Sequence, residues 1–415
     1  MSATPAPGPK LVFVNRYFAP DQSATSQMLT DLAGGLARRG FDVHVVCCGQ
    51  LYDDPAARLP ARERRDGVTV HRIATTRFGR ARLAGRALDY LSFYLSCFLE
   101  LLSDLKRGDW VIAETDPPLV SLVCALAAQL RGADLVNWQQ DVFPEVASAI
   151  RGSPLPRWLD RALRRFRDAS LRAARMNVVI GSRMLEYFVA AGIPAAQLCV
   201  IENWADADKV IPKPPSASAL RARLGLQDRF VIGYSGNLGR AHEFDTLLEC
   251  AKALHAESAY AFVIIGGGAK IPAFKQAVAD IKLGNVQFLP YQPREALEDS
   301  LAAADVHVAS LLPSLEGFVV PSKFYGILAA GRPVVFIGDP EGELARIIRA
   351  ANCGVVVDVA AGGELARQLA RLRSAPQVCA AMGRRGRALL DEKYGINTGI
   401  DKWSTLLLGL HARQA

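Results

Sequence analysis

Short apolar runs alternate with longer helix-forming stretches along this chain. The alternation pauses once, in the Pro- and Ser-bearing segment Trp204–Ser218, and then starts again. Such a pattern specifies βαβ units on largely parallel sheets. The first series predicts strands at Lys10–Arg16, Asp42–Cys48, Val111–Glu114, Leu135–Gln139, Met176–Ile180 and Leu198–Glu202, with a helix over Ser26–Arg39 closed by Gly40. The second predicts strands at Arg229–Ser235, Tyr260–Ile265, Val286–Leu289, Val306–Ser310, Pro333–Ile337 and Gly354–Val357. For 415 residues the economical reading is α/β, with two Rossmann-like domains divided at 205/206. Ligands of doubly wound sheets bind at the carboxyl ends of the strands, so two facing sheets predict a central cleft.

Composition narrows the classes. Half of the residues are apolar and 22% are charged, which supports a large core and argues against long disorder. The charge-free runs Pro117–Leu130 and Tyr90–Leu99 fall short of the ~18–20 residues needed to span a bilayer. MSATPAPGPK does not read as a signal peptide. A soluble, cytoplasmic chain is expected, and the eight scattered cysteines, with no CxxC pair, read as reduced core residues. The formal charge of +8 points to an anionic partner: nucleotide, phosphorylated substrate, nucleic acid or acidic membrane face. No RRM, KH or helix-turn-helix signature accompanies the basic clusters, so nucleic acid is not expected.

Several chemistries drop out. The first βα turn, Asn15–Pro20, has no glycine, and Gly266-Gly267-Gly268 has Ile271 where GxGxxG needs a glycine. There is no GxxxxGK[ST]. In Gly233-Tyr234-Ser235-Gly236 the second glycine comes one place too early for a nucleophile elbow. No HExxH occurs, and Asp206-Ala207-Asp208 lies in the linker, so neither a metal nor a cofactor is expected. His44 and His307, inside apolar strands, read as core histidines.

Two loops of the second half carry positive evidence. In LPSLEGFVVPSK, Ser322 is placed to cap a helix over Lys323–Ala330 stopped by Gly331. A helix start beside Lys323 suits a diphosphate, and Glu316 suits sugar hydroxyls. An ordinary capped helix with a solvated Lys is the alternative. In Tyr234-Ser235-Gly236-Asn237-Leu238-Gly239-Arg240-Ala241-His242 a strand runs into glycines that admit close backbone approach, followed by an Arg suited to phosphate oxygens. The alternative there is a tight turn with an exposed Arg. In the first half, Asp141 of WQQDVFPE follows a strand, with a helix cap before Pro144 as its plainer reading.

These motifs, taken in order, resemble a known family. YSGNLGRAHEFDTLLE, IGGGAK, FLPYQPREAL and LEGFVVPSKFYGILAAGRPVV are similar to the retaining GT-B glycosyltransferases of family 4. RYFAPDQSATSQMLTDLAGGLARRGFDVHVV, WQQDVFPE and ENWAD narrow the resemblance to the WbuB/WcaI-like branch of capsule, O-antigen and colanic acid assembly. The resemblance implies a GT-B fold with an acceptor-side domain 1–205, a nucleotide-sugar domain 206–396, and a terminal helix in 397–415 that packs back on the first.

It also implies that Lys323 and Arg240 hold the donor diphosphate, with Gly236 and Gly239 shaping the loop. Glu316, Gly317 and Phe318 would face donor sugar and phosphate, with Ser322 at the helix start. Gly266, Gly268, Leu289 and Tyr291 would line the nucleoside pocket. Asp141 would lie near the acceptor as a proton-accepting or positioning carboxylate. Two departures stand out: the second Glu that binds ribose in many relatives is Gly326 here, and the Arg and Lys of the commoner loop fall near Asn237 and His242.

The implied activity moves a hexosyl or N-acetylhexosaminyl group, with retention, from a nucleotide-diphosphate donor such as a UDP-sugar to a lipid-linked or glycan acceptor. An inverting transferase, a UDP-sugar 2-epimerase and a non-catalytic nucleotide-binding protein are the alternatives. Arg62–Arg86 and Arg151–Arg175 each carry eight Arg, and Leu83–Leu105 has amphipathic spacing. Basic clusters beside aromatics suit peripheral contact with an anionic inner leaflet and a polyprenyl-diphosphate-linked acceptor.

Overall fold

The computed structural model describes residues 9–79, 83–150 and 156–412. The chain divides into two compact units, which hold residues 9–148, 156–202 and 399–412 in one and 149–150 and 203–398 in the other. Each is an α/β unit around one sheet. Among the described residues no helix is long and apolar enough to cross a membrane.

The first unit has β1 (Leu11–Val14), β2 (Val43–Cys48), β3 (Arg62–Arg65), β4 (Val68–Ile73), β5 (Trp110–Ala113), β6 (Asp134–Gln139), β7 (Met176–Val179) and β8 (Leu198–Val200). Their order is β3-β4-β2-β1-β5-β6-β7-β8, and only the β3–β4 pair is antiparallel. Phe93, Cys97 and Leu101, spaced four apart on the helix Leu83–Asp104, bury one stripe against Val12, Val14 and Val46 of the sheet.

The β3–β4 hairpin departs from the sequence reading, which treated Arg62–Arg86 only as a basic cluster. Asp66 and Gly67 turn the chain with φ of 50° and 83°, as a two-residue hairpin turn requires. The arginines of β3 coat an edge strand, which blocks pairing with another chain. Arg72, from the same cluster, is buried and pairs with Glu63 at 2.6 Å. Arg80, Arg82 and Arg151 lie outside the described residues.

The second unit has β9 (Phe230–Ser235), β10 (Tyr260–Ile265), β11 (Val286–Leu289), β12 (Val306–Ser310), β13 (Val334–Ile337) and β14 (Gly354–Val357). All neighbours are parallel, in the order β11-β10-β9-β12-β13-β14. From β9 the chain winds outward through β10 and β11, then returns to β12 on the other side. The carboxyl ends of β9 and β12 therefore bound a topological switch point, where doubly wound sheets open a crevice.

The last helix, Ile396–Ala412, belongs from residue 399 onward to the first unit. Its Ile400 lies where a Cβ on Gly35 would stand, 2.3 Å away, so only glycine fits on that face of the helix Ala24–Arg38. Trp403 is fully buried with its ring 5.1 Å from that of Trp138 on β6, nearly edge to face. Arg39 pairs with Asp401 at the rim.

Candidate active site

At the switch point of the second unit, three glycines end two strands in backbone conformations that disfavour side chains: Gly236 (φ 129°) after β9, Gly266 (φ 136°) and Gly268 (φ 126°) after β10. The Gly236 amide donates to the Ile265 carbonyl at 2.9 Å, and the Leu238 amide to the Gly267 carbonyl at 2.7 Å. A Cβ on Gly266 would stand 2.1 Å from the Gly236 carbonyl oxygen, and one on Gly268 would stand 2.6 Å from that of Leu238. The two loops are thus interlocked through backbone.

His242 and Lys323 meet beneath these loops. The His242 Nδ1–H donates to the Ser310 carbonyl at 2.6 Å, because a carbonyl can only accept. That fixes the tautomer and leaves Nε2 with its lone pair, which accepts from the Lys323 ammonium at 3.0 Å. Burial, then the charge of Lys323, drives the imidazole down to about 3, so His242 stays a neutral acceptor. Lys270 adds a second tie, its Nζ donating to the His242 carbonyl at 2.5 Å.

Lys323 also lies 5.0 Å from the ring centre of Tyr234 and beside Gly236, where an added Cβ would touch its Cε at 3.6 Å. The residue keeps some exposure, yet protein crowds its ammonium, and burial lowers it to about 7. No carboxylate pairs with it among the described residues. This is a held cation lacking a counter-anion, beside glycine loops that admit close approach.

The surrounding residues differ in how far they match expectation. Arg240 and Asn237 are exposed on the first loop, and Arg240 makes no ion pair among the described residues. Gly239 follows Leu238, and its carbonyl accepts the His242 amide at 3.2 Å. Leu289 ends β11, and its carbonyl accepts the Gly266 amide at 3.0 Å. The Tyr291 ring covers Gly267 and remains largely exposed.

Ser322 is a correction. It sits at the helix start in αR conformation and makes no capping bond, and the helix Lys323–Ala329 has only seven residues. Lys323 rather than a capped helix end supplies the positive charge here. Gly331 does stop the helix, with φ 62°.

Glu316 follows the short turn Pro313–Leu315, with Gly317 at φ 78° and Phe318 donating its amide to Leu315 at 3.0 Å. One Glu316 oxygen accepts the Glu343 amide at 2.7 Å, at the start of the helix Glu343–Ala351. An anion there complements the helix dipole. Gly342 makes room, since a Cβ on it would stand 2.5 Å from the other oxygen. Around Gly326, by contrast, an added Cβ meets nothing within 4 Å.

The first unit has its own switch point between β1 and β5, where the Arg16 amide donates to the Asp116 carbonyl at 2.6 Å. Arg16 is buried between the rings of Tyr17 and Tyr90, 3.7 Å from Asp89. Glu114, at the end of β5, is 3% exposed, and neither carboxyl oxygen has a hydrogen-bond partner among the described residues. Desolvation, then the charges of Asp116 and Asp141, raises it well above the usual carboxylate range. Asp141, just beyond β6, is exposed at its rim while protein crowds its carboxyl. That crowding, then Asp116, pushes it up to about 6. Arg16 and Glu114 were not singled out from sequence; their positions at the ends of the two strands flanking the switch were the available signal. His307 is buried and bonds the Leu301 carbonyl at 2.8 Å, as a core histidine should.

Residues 23–204 match the family described as glycosyl transferase 4-like domain, and residues 229–374 match glycosyl transferases group 1. The chain belongs to the GT-B glycosyltransferases of family 4. This family 4 glycosyltransferase is 25% identical over 348 residues to the probable glycosyltransferase WbjE of Pseudomonas aeruginosa, covering 83% of the chain and 84% of the relative. It is also 25% identical over 357 residues to the putative colanic acid biosynthesis glycosyl transferase WcaI of Escherichia coli K12, covering 81% and 85%. Among solved structures, HepE of Anabaena in complex with UDP and glucose superposes with a TM-score of 0.73 at 17% identity, over 96% of this chain and 99% of that one. That likeness bears out the GT-B expectation of two Rossmann-like domains.

Proposed function

We propose that this glycosyltransferase moves a hexosyl or N-acetylhexosaminyl group from a UDP-sugar, with retention, to a lipid-linked or glycan acceptor in the assembly of a cell-surface polysaccharide. The observation that carries the donor reading is Lys323: an ammonium held by neutral His242, lacking a paired carboxylate among the described residues, beside loops whose glycines admit a diphosphate. A departing nucleoside diphosphate needs such a group fixed before the reaction. Arg240 adds an exposed second cation. The polysaccharide setting is supported by the description of the colanic acid relative, and the UDP donor by the UDP-bound structural neighbour.

Incubation with a panel of nucleotide sugars tests the reading. Slow hydrolysis of one UDP-sugar, giving the sugar in its original anomeric configuration, is expected. Inverted product, a 2-epimerised donor or binding with no turnover would each replace the proposal with one of its alternatives. On the Glu316→Gln variant, transfer is expected to fall more than UDP affinity. Loss of the anion at the helix start adds about 0.3–1 kcal/mol of instability, read by urea unfolding. Equal loss of transfer and UDP binding would remove Glu316 from the sugar.

Contact with an anionic membrane face is supported by two exposed surfaces of the first unit. Leu88, Leu91, Leu95 and Leu99 form one stripe of the helix Leu83–Asp104, all between 48% and 63% exposed. On the helix Arg157–Ala173, Trp158 and Phe166 stand exposed among Arg157, Arg161 and Arg165. Arg167 of that helix is instead buried in a paired contact with Glu145 at 2.9 Å. Sedimentation with phosphatidylglycerol vesicles at low salt is expected to carry the protein down. The Leu91→Ser, Leu95→Ser double variant should bind at least about tenfold more weakly. No sedimentation at low salt would dismiss the membrane contact.

A further inference from the structure

His44 on β2 and His71 on β4 lie on one face of the first sheet. The register pairs Val46 with His71 and His44 with Thr69, so the two imidazoles sit diagonally across the strand pair. His44 Nδ1 stands 3.1 Å from His71 Nε2. Each ring's other nitrogen meets a carboxylate: His71 Nδ1 lies 2.7 Å from Glu100 Oε1, and His44 Nε2 lies 3.2 Å from Asp42 Oδ1. Ionised carboxylates only accept, so those outer nitrogens carry the ring protons. The inner nitrogens of two neutral rings then face each other as lone pairs, an arrangement that repels unless a cation lies between them.

A third donor faces the same space. Asp104, the last residue of the helix Leu83–Asp104, has Oδ2 4.0 Å from His44 Nδ1. One ligand atom from each of His44, His71 and Asp104 falls within 4.8 Å of the others. Two imidazole nitrogens bound tetrahedrally at ~2.0–2.1 Å to zinc stand roughly 3.3 Å apart, close to the separation seen here. Carboxylates behind the rings are the partners that orient metal-bound histidines. A cavity of about 450 Å³, lined in part by Arg62, Ser96 and Ser103, borders the His71–Glu100 pair. Lys10 competes, its Nζ lying 2.7 Å from Asp104 Oδ2. It also donates to the Asp104 carbonyl at 2.7 Å, a bond it can keep while releasing the carboxylate. Arg62 holds Glu100 from outside at 3.0 Å.

We propose that His44, His71 and Asp104 form a site for a divalent transition metal ion, zinc by ligand set, that ties β2 and β4 to the helix Leu83–Asp104. The rival account of the same geometry is one proton shared between the two rings. From sequence alone His44 reads as a core histidine with no role. Its partner lies 27 residues away on another strand, beyond any local spacing rule.

The test uses full-length, tag-free, metal-stripped protein titrated with Zn²⁺ and with Co²⁺. Saturation at one equivalent, a rise in the thermal midpoint, and a Co²⁺ visible spectrum without a sulfur charge-transfer band are expected. His44→Gln and His71→Gln should abolish saturation, and Glu100→Gln should weaken it about 10–100-fold. Should either histidine variant fail to fold, Asp104→Asn, altered at the most exposed of the three ligands, must still bind at least tenfold more weakly. No saturable binding in the parent protein, undiminished binding in the variants, or a sulfur band from a cysteine site would each overturn the proposal. None of these readouts involves glycosyl transfer, so the outcome is independent of the donor reading.

Discussion

Lys323→Met is expected to lower kcat/KM for the nucleotide-sugar donor by about 10- to 150-fold, the equivalent of the 1.5–3 kcal/mol that a charge-assisted bond contributes. A larger loss in kcat than in UDP affinity would mean that the contact tightens as the leaving group departs. The pH dependence gives a second readout. With Lys323 at about 7 in the free protein, an approaching diphosphate favours the ammonium form. UDP binding should therefore take up a proton above pH 7, and affinity should fall as pH rises further. Lys323→Met should lack that slope. The stability sign runs the other way: between about 7 and the ordinary lysine value near 10.4, the unfolded chain holds a proton that the native protein does not. Native stability gains from this group as pH rises through that window and loses as pH falls. Urea unfolding at several pH values should show a flatter profile in the variant. Parent-like turnover in Lys323→Met would remove the residue from the donor site.

Gly266→Ala is expected to be the most damaging single-methyl change in the two interlocked loops at the switch point. Its Cβ would lie 2.1 Å from the Gly236 carbonyl oxygen, at a φ of 136° that resists any side chain. The obstacle is backbone, so no rotamer change relieves it. Strain and overpacking together cost roughly 2–4 kcal/mol, and what relaxation occurs must pry the two loops apart, so UDP affinity should fall with stability. Gly326→Ala is the control: its Cβ meets open space inside a helix, and a gain of about 0.4–1 kcal/mol is expected. Calorimetry with UDP and urea unfolding of both variants separate a specific interlock from general sensitivity to alanine.

Much of the fold was legible because parallel strands buried on both faces read as unbroken apolar runs, as in Tyr260–Ile265 and Val334–Ile337. The β3–β4 hairpin escaped because an edge strand of three Arg and one Glu lacks an apolar face, and only Asp66-Gly67 marks it. Lys323 and the glycines could be placed from local pattern, since strand-end glycines and a following Lys are short-range signals. The neutral state of His242 could not, because it depends on the Ser310 carbonyl 68 residues away. Nor could the docking of Glu316 at the start of the helix Glu343–Ala351, or the absent Ser322 cap, which turns on one backbone angle. Glu114 looked like the end of a strand; its solitary burial emerges only when β1, β5 and β6 are laid side by side.

The return of the last helix has a consequence for how the polypeptide is made. Residues 9–202 leave the ribosome well before Ile400 and Trp403, so the seat around Gly35 and Trp138 stays open while the whole second unit is synthesised. That second unit is nearly continuous in sequence and can close as soon as it emerges. The part translated first is thus the part completed last, and loss of the final segment would leave a finished second unit attached to an unsealed neighbour.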